Sequence, residues 1–180
     1  MDTGPVERPV LSVLRRAAPP EPWPWFCGYC GASHPGTDPP PMIERVCVSC
    51  GFGLLVEAPG PIAPSPDDAF LVVNHELVIQ SVGRRAEQLL NVGESFVVGR
   101  ELTELLLPID CERDGAGALS DAVFDAASGD PMPVITRLVL CPAHQPGLRL
   151  RARIGRCGPP RAALLVLEQI ESERVHAVPS

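Results

Sequence analysis

Cys27, Cys30, Cys47 and Cys50 are the residues of this chain whose type and spacing point most sharply to chemistry. They stand as CGYCG and CVSCG, two CxxC pairs each followed by glycine. Two residues between cysteines let a tight turn aim both sulfurs at one ion, and the glycine lets the backbone fold back beneath it. Sixteen residues separate the pairs, so four thiolates can close a tetrahedral shell around one metal. Such a shell leaves no open coordination position and is structural rather than catalytic. The competing reading, a dithiol redox pair, lacks the βαβ setting that CxxC oxidoreductases need.

Other candidates are weaker. His34 lies near the first pair, but four thiolates already complete a shell; His75 falls in a turn, His144 just before one, and His176 near the end. Cys141 and Cys157 fall on neighbouring strand-like runs with mismatched positions, so they read as small apolar residues rather than a disulfide. The run LRLRARI puts Arg149, Arg151 and Arg153 on one face of a strand, which reads as a solvated face or as a docking stripe for an acidic partner. No phosphate loop, nucleophile elbow, kinase set or paired-histidine metal motif is present, and the chain is read as non-enzymatic.

These residues sit in a chain of 180 residues with a formal net charge of −7. That balance opposes nucleic-acid or anionic-membrane binding. Between Glu21 and Gly60 the only basic residue is Arg45, against Glu21, Asp38, Glu44 and Glu57. A divalent ion on four thiolates would leave this region at about −5, which repels phosphate. Protein contact, through Trp23 and Trp25 or the loop between the cysteine pairs, is the favoured alternative; the plainer one is that both tryptophans fill the module's small core. No apolar run is long enough to span a membrane, and the N-terminus lacks a signal core, so a cytoplasmic location is expected. In that compartment the cysteines read as ligands rather than disulfides.

The elements that must position the cysteines follow from pattern. Residues 1–22 form a tail or short helix, with Val10, Leu11, Val13 and Leu14 on one side of a helix over 6–18. Residues 23–57 form the metal module, whose flanks Trp23–Phe26, Met42–Val46 and Phe52–Val56 have strand chemistry. This module resembles a zinc ribbon, two hairpins with a cysteine knuckle at each turn, and implies one structural Zn²⁺ held by Cys27, Cys30, Cys47 and Cys50. Rubredoxin uses similar knuckles for iron with a wider gap, so iron is the alternative metal. Residues 58–66, APGPIAPSP, read as an extended, semi-rigid linker.

Residues 67–170 read as strands at 70–73 and 77–82, helices at 84–90, 101–107 and 118–127, and strands at 134–141, 148–154 and 162–170. Residues 171–180 are a C-terminal tail. The stretches DDAFLVVNHELVIQSVGRRAEQLLNV and VVGRELTELL, with the three closing strands, resemble the PAS family, with Gly83 where that family often has Asn. The expected fold class is therefore α+β: a four-cysteine zinc ribbon followed by a PAS-like antiparallel five-stranded sheet with helices on one face.

The resemblance implies a sensor or interaction module. Haem is not expected, because the helices contain no histidine, and flavin is not expected, because Cys111 lacks the light-sensing motif of the family. The strand AALLVL is apolar on both faces, so the outer sheet face should be covered. The candidate covers are the N-terminal helix, the ribbon or, the favoured one, a second subunit in a homodimer. The functional expectation is a signalling or regulatory protein acting through an unidentified protein partner, without an attached output domain. A small-ligand sensor using the PAS cavity and a nucleic-acid-binding ribbon are the alternatives.

Overall fold

The computed structural model describes residues 23–36, 38–109, 118–128 and 133–170. The expected helix over 6–18, both tails, Cys111 and His176 lie outside them. No helix among the described residues is long and apolar enough to cross a membrane.

The cysteine module is built on two short strands, β1 (Trp25–Cys27) and β2 (Leu55–Glu57), paired antiparallel with Cys27 opposite Leu55. Single bridges, Phe26 to Ser33 and Val46 to Leu54, turn the chain back around each cysteine pair. The approach to the second pair, expected to be extended, contains a 3-10 turn at Met42–Glu44 that follows Pro41.

The larger unit is one antiparallel sheet. Its strands are β3 (Ala69–Val73), β4 (Ile79–Val82), β5 (Leu107–Pro108), β6 (Ile135–Cys141), β7 (Leu148–Cys157) and β8 (Ala162–Gln169), ordered β4-β3-β8-β7-β6-β5. The sheet has six strands, where five were expected. The additional strand, β5, pairs Leu107 with Leu140 and Pro108 with Val139. Pro108 disfavours a helical backbone at the residue before it. Hence the helix expected to reach 107 stops at Leu105, and Leu107 extends onto the sheet edge. The helices are α1 (Arg84–Leu90), α2 (Glu94–Val97), α3 (Leu102–Leu105) and α4 (Ala118–Ser128). Among them α2 had no clear sequence signal; it buries Val97, and its Glu94 N–H donates to Glu87 Oε1 at 2.8 Å.

Strand alternation sends side chains to two different cores. Leu71, Val73, Leu150, Ile154, Ala163 and Leu165 face the helices, packing with Ala86, Leu90, Leu102, Val123 and Ala126. Phe70, Val72, Leu164 and Val166 face the other way. That outer face is covered from within the chain. Phe26 and Val56 of the cysteine module, together with Ala58 and Ile62, close over it. The rings of Phe26 and Phe70 meet edge to face at 5.9 Å.

The segment 58–66 is therefore not an extended spacer. Ile62 and Ala63 both donate backbone N–H groups to the Pro59 carbonyl, forming a turn that drives Ile62 into full burial. A Cβ at Gly155 would stand 2.9 Å from Ile62 Cδ1, so this glycine makes the room that the isoleucine fills. Burying an isoleucine side chain is worth about 2 kcal/mol, enough to favour a turn over an extended run. The bare apolar face that argued for a second subunit is thus taken up by Phe26 and Val56 of the cysteine module and by Ala58 and Ile62.

Candidate metal centre

The four sulfurs converge. Each lies within 4.8 Å of the other three, and no other group of three or more His, Cys, Asp or Glu side chains does so among the described residues. Cys27 and Cys50 Sγ are 3.7 Å apart, Cys30 and Cys47 Sγ 3.8 Å. A regular tetrahedron with a metal–sulfur distance of about 2.3 Å has edges of about 3.8 Å. The donor set therefore fits a tetrahedral thiolate-binding metal such as zinc. His34 stands outside the set: its backbone N–H donates to the Trp25 carbonyl, while its Nδ1 is buried without a partner.

The surrounding backbone is arranged for negative sulfur. Tyr29 and Cys30 N–H groups donate to Cys27 Sγ, and Gly53 N–H donates to Cys50 Sγ, each at 3.4 Å. Burial still raises the Cys27 thiol well above its ordinary pKa, and burial raises Cys30 as well. Cys50 differs. Burial opposes its ionisation, but N–H groups of Gly53 and Phe52 and the neighbouring Cys27 and Cys30 bring it to about 7. A quartet with such unequal thiols is held as a full thiolate set most readily by a cation at its centre.

The two knuckles sit in different surroundings. The first is bonded into the sheet unit. Ser81 Oγ donates to the Gly28 carbonyl at 2.6 Å, the Arg84 N–H at the start of α1 donates to the Tyr29 carbonyl at 2.8 Å, and Tyr29 Oη reaches Glu87 Oε2 at 3.4 Å. Farther along, Glu57 and Gly158 exchange two backbone hydrogen bonds, tying β2 to the β7–β8 turn. The second knuckle projects outward. Met42, Ile43 and Val48 are 84%, 89% and 90% exposed, and Phe52 and Leu54 are also exposed.

The tryptophans act as core and bracket. Trp25 is fully buried with Cys27, Cys47 and Leu55, its outer side stacked by Arg45. Trp23 is half-buried beneath the Arg156 guanidinium, 4.2 Å from its ring centre. Neither is offered as an open contact; the exposed apolar surface lies instead around the second cysteine pair. Its signal was present in MIERVCVSCGFGLL, which carries more large apolar residues than a module with a single small core can bury.

The remaining candidates separate as follows. The arginine stripe is on the outer face, but Arg153 bonds Glu168 at 3.0 Å and the Pro61 carbonyl at 2.9 Å, and Arg151 stands 3.7 Å from Glu168. It serves as a solvated, internally paired face. Cys141 pairs opposite Leu148 and faces the helical core, whereas Cys157 pairs opposite Ala162 in the outer core, where burial pushes its thiol up to about 12. Cys141, on β6, lies beside the start of β7 and Cys157 at its end, and the two point to opposite faces. His75 and His144 are exposed.

No protein-family model matches the chain. No curated protein matches it either. Among solved structures, the chain is similar to the PAS domain of an HTR-like protein from Haloarcula marismortui, at 18% identity over 57% of this chain and 86% of that one, with a TM-score of 0.43. It is similar to the PAS domain of nitrogen regulation protein NR(II) from Vibrio parahaemolyticus at 15% identity, covering 57% and 89% of the two chains, TM-score 0.42. The Cronobacter turicensis RpfR quorum-sensing receptor PAS domain, solved in complex with BDSF, matches at 14% identity, covering 58% and 94%, TM-score 0.44. Identities and TM-scores are low, and the fold of this chain stands on its own strand order and core.

Proposed function

We propose that this chain is a non-enzymatic signalling or regulatory module of the cytoplasm, made of a PAS-like sheet and a structural zinc ribbon, which acts by holding a protein partner. The observation that carries the reading is the second knuckle. Five large apolar side chains, Met42, Ile43, Val48, Phe52 and Leu54, stand in solvent around a cysteine pair whose sulfurs are positioned for a metal. A metal-held knuckle is stiff, so docking there costs little ordering entropy. Clustered exposed apolar residues on a folded protein mark contact surfaces. The element order, two strands, helices, then three closing strands, is the one on which the PAS resemblance rests. Zinc is the metal expected, with iron the alternative. Nucleic acid is disfavoured, because Arg45, the one basic residue between Glu21 and Gly60, is stacked on Trp25.

The test is a partner screen by affinity capture from the native host, comparing wild type with a Val48→Asp, Phe52→Asp double variant. The variant should keep one zinc per chain and its melting temperature, yet lose specific proteins that the wild type retains. Identical retained sets would sink the reading. The ligand-sensing alternative has one supporting observation: a crevice of about 310 Å³ opens over Ile79, Val97 and Leu105 on the helical side, with His144 at its edge.

A further inference from the structure

A well-formed recess lies where the cysteine module meets the sheet, beside the cysteine cluster and on the sheet face opposite the helical core. It is a cleft of about 570 Å³, within the range that takes a small molecule. Its two walls come from different parts of the chain. One is Tyr29 and Phe52, whose rings meet edge to face at 5.0 Å, with Leu54 beside them. The floor is the outer sheet face at Val72 and Ala162. Junctions of this kind, between two units with an apolar lining and a few polar groups, are where ligand sites concentrate.

The polar groups are unevenly placed. Val73 pairs with Ala163, so the residues just beyond that pair, on the β3–β4 turn and before β8, stand at one end of the sheet. Those turns supply His75 and Arg161 to the cleft. Elsewhere in the lining stands Glu94, which receives no cation there: its backbone N–H bonds Glu87 Oε1 at 2.8 Å, so a second carboxylate is close by. Burial, then the Glu87 charge, raises the Glu94 carboxyl above its ordinary pKa. The cleft thus has an aromatic wall of two rings set edge to face, an apolar floor, an end able to bind one anionic group, and a carboxylate that repels a second.

We propose that this cleft binds a small, flat, largely apolar monocarboxylate, its body against Tyr29, Phe52 and Val72 and its carboxylate on Arg161 and His75. The site shares Phe52 and Leu54 with the partner-docking surface and extends from them onto the sheet, and it exists only while the module is folded, because Tyr29 and Phe52 flank the clustered cysteines.

The experiment uses full-length zinc-loaded protein and three compounds: naphthoate, its neutral amide, and a naphthalene dicarboxylate. Affinities are followed by amide NMR and calorimetry. Naphthoate should shift the amides of His75, Gln80 and Ser81 and bind roughly tenfold tighter than the amide, the scale of one charge-assisted hydrogen bond. The dicarboxylate should bind more weakly than naphthoate. Arg161→Gln, an exposed site, should narrow the gap between acid and amide, and Arg161→Gln with His75→Ala should bring them to equal affinity without changing the melting temperature. Chelation of the metal should abolish binding. Equal affinity of acid and amide in the wild type, shifts confined to other regions, or binding that survives chelation would each overturn the proposal. Val48 is outside the cleft lining, so a Val48→Asp single variant should lose partners while still binding naphthoate, which lets either proposal fail alone.

Discussion

The two cysteine knuckles carry the same local sequence rule and end in opposite situations. CGYCG is pressed against the sheet: its carbonyls accept from Ser81 and Arg84, and a Cβ on Gly31 would lie 2.5 Å from the Ser65 carbonyl oxygen. CVSCG stands away from it: Val48 is 90% exposed, and a Cβ on Gly51 would meet nothing within 4 Å. Metal coordination needs both knuckles equally. What differs is the half of each turn that does not face the metal. One half is used to anchor the module over an apolar sheet face, and the other is left for solvent or a partner.

The largest test is one in which the contrast should vanish. Cys30→Ser and Cys47→Ser break the same shell, and structural zinc supplies on the order of 10 kcal/mol to so small a module. Both variants should lose the metal and unfold the module. Phe26, Val56 and the turn bearing Ile62 then release Phe70, Val72, Leu164 and Val166. The sheet should therefore melt at a lower temperature too and should bind an apolar dye. A sheet transition that stays in place on chelation would show that the module is an appendage rather than a cover.

Next in size is a pair of phenylalanines. Phe26→Ala empties a buried site facing Phe70 and should cost about 3–5 kcal/mol in chemical denaturation. Phe52→Ala, on the exposed knuckle, should stay within about 0.5 kcal/mol. Similar costs for the two would erase the distinction between anchor and free surface.

The glycines sharpen it further. Gly31 and Gly51 occupy matching positions, with φ of 72° and 68°. Alanine at either pays about 1–2 kcal/mol for the left-handed backbone. Gly31→Ala must in addition displace the Ser65 carbonyl, adding roughly 1–3 kcal/mol, so its midpoint should fall clearly below that of Gly51→Ala. A small effect also belongs to the arginine stripe. Glu168→Gln removes the carboxylate shared by Arg151 and Arg153 on a partly solvated face and should cost under about 1 kcal/mol. A larger loss would mean that the stripe helps to clamp the 58–66 turn through Arg153 and Pro61.

Much of the sheet unit was legible because its signals are local. Alternation in LRLRARI placed Leu150, Ala152 and Ile154 inside, and Gly83 and Asn91 bracket α1 close to the expected limits. The doubly apolar strand AALLVL correctly implied a covered outer face. The identity of the cover was not legible. It depends on Phe26 and Ile62, residues about forty and eight positions upstream of Phe70, meeting one surface, and no periodicity within either segment encodes that meeting. Proline richness suggested a spacer for the same reason: composition reports backbone stiffness and says nothing of whether one isoleucine finds a pocket.

By itself the sequence determined the donor set, since thiol type and CxxC spacing limit which sulfurs could share one ion, and it determined the alternation that gives the sheet two apolar faces. Only the tertiary structure decided how those faces are used. The sulfur tetrahedron sets where both knuckles point, and burial of the outer face then selects the knuckle whose flanks can reach it. That choice leaves the second knuckle exposed and the cleft beside Tyr29 open, because the apolar contact that seats the module runs through Phe26, Val56 and Ile62 and not through Phe52 or Leu54.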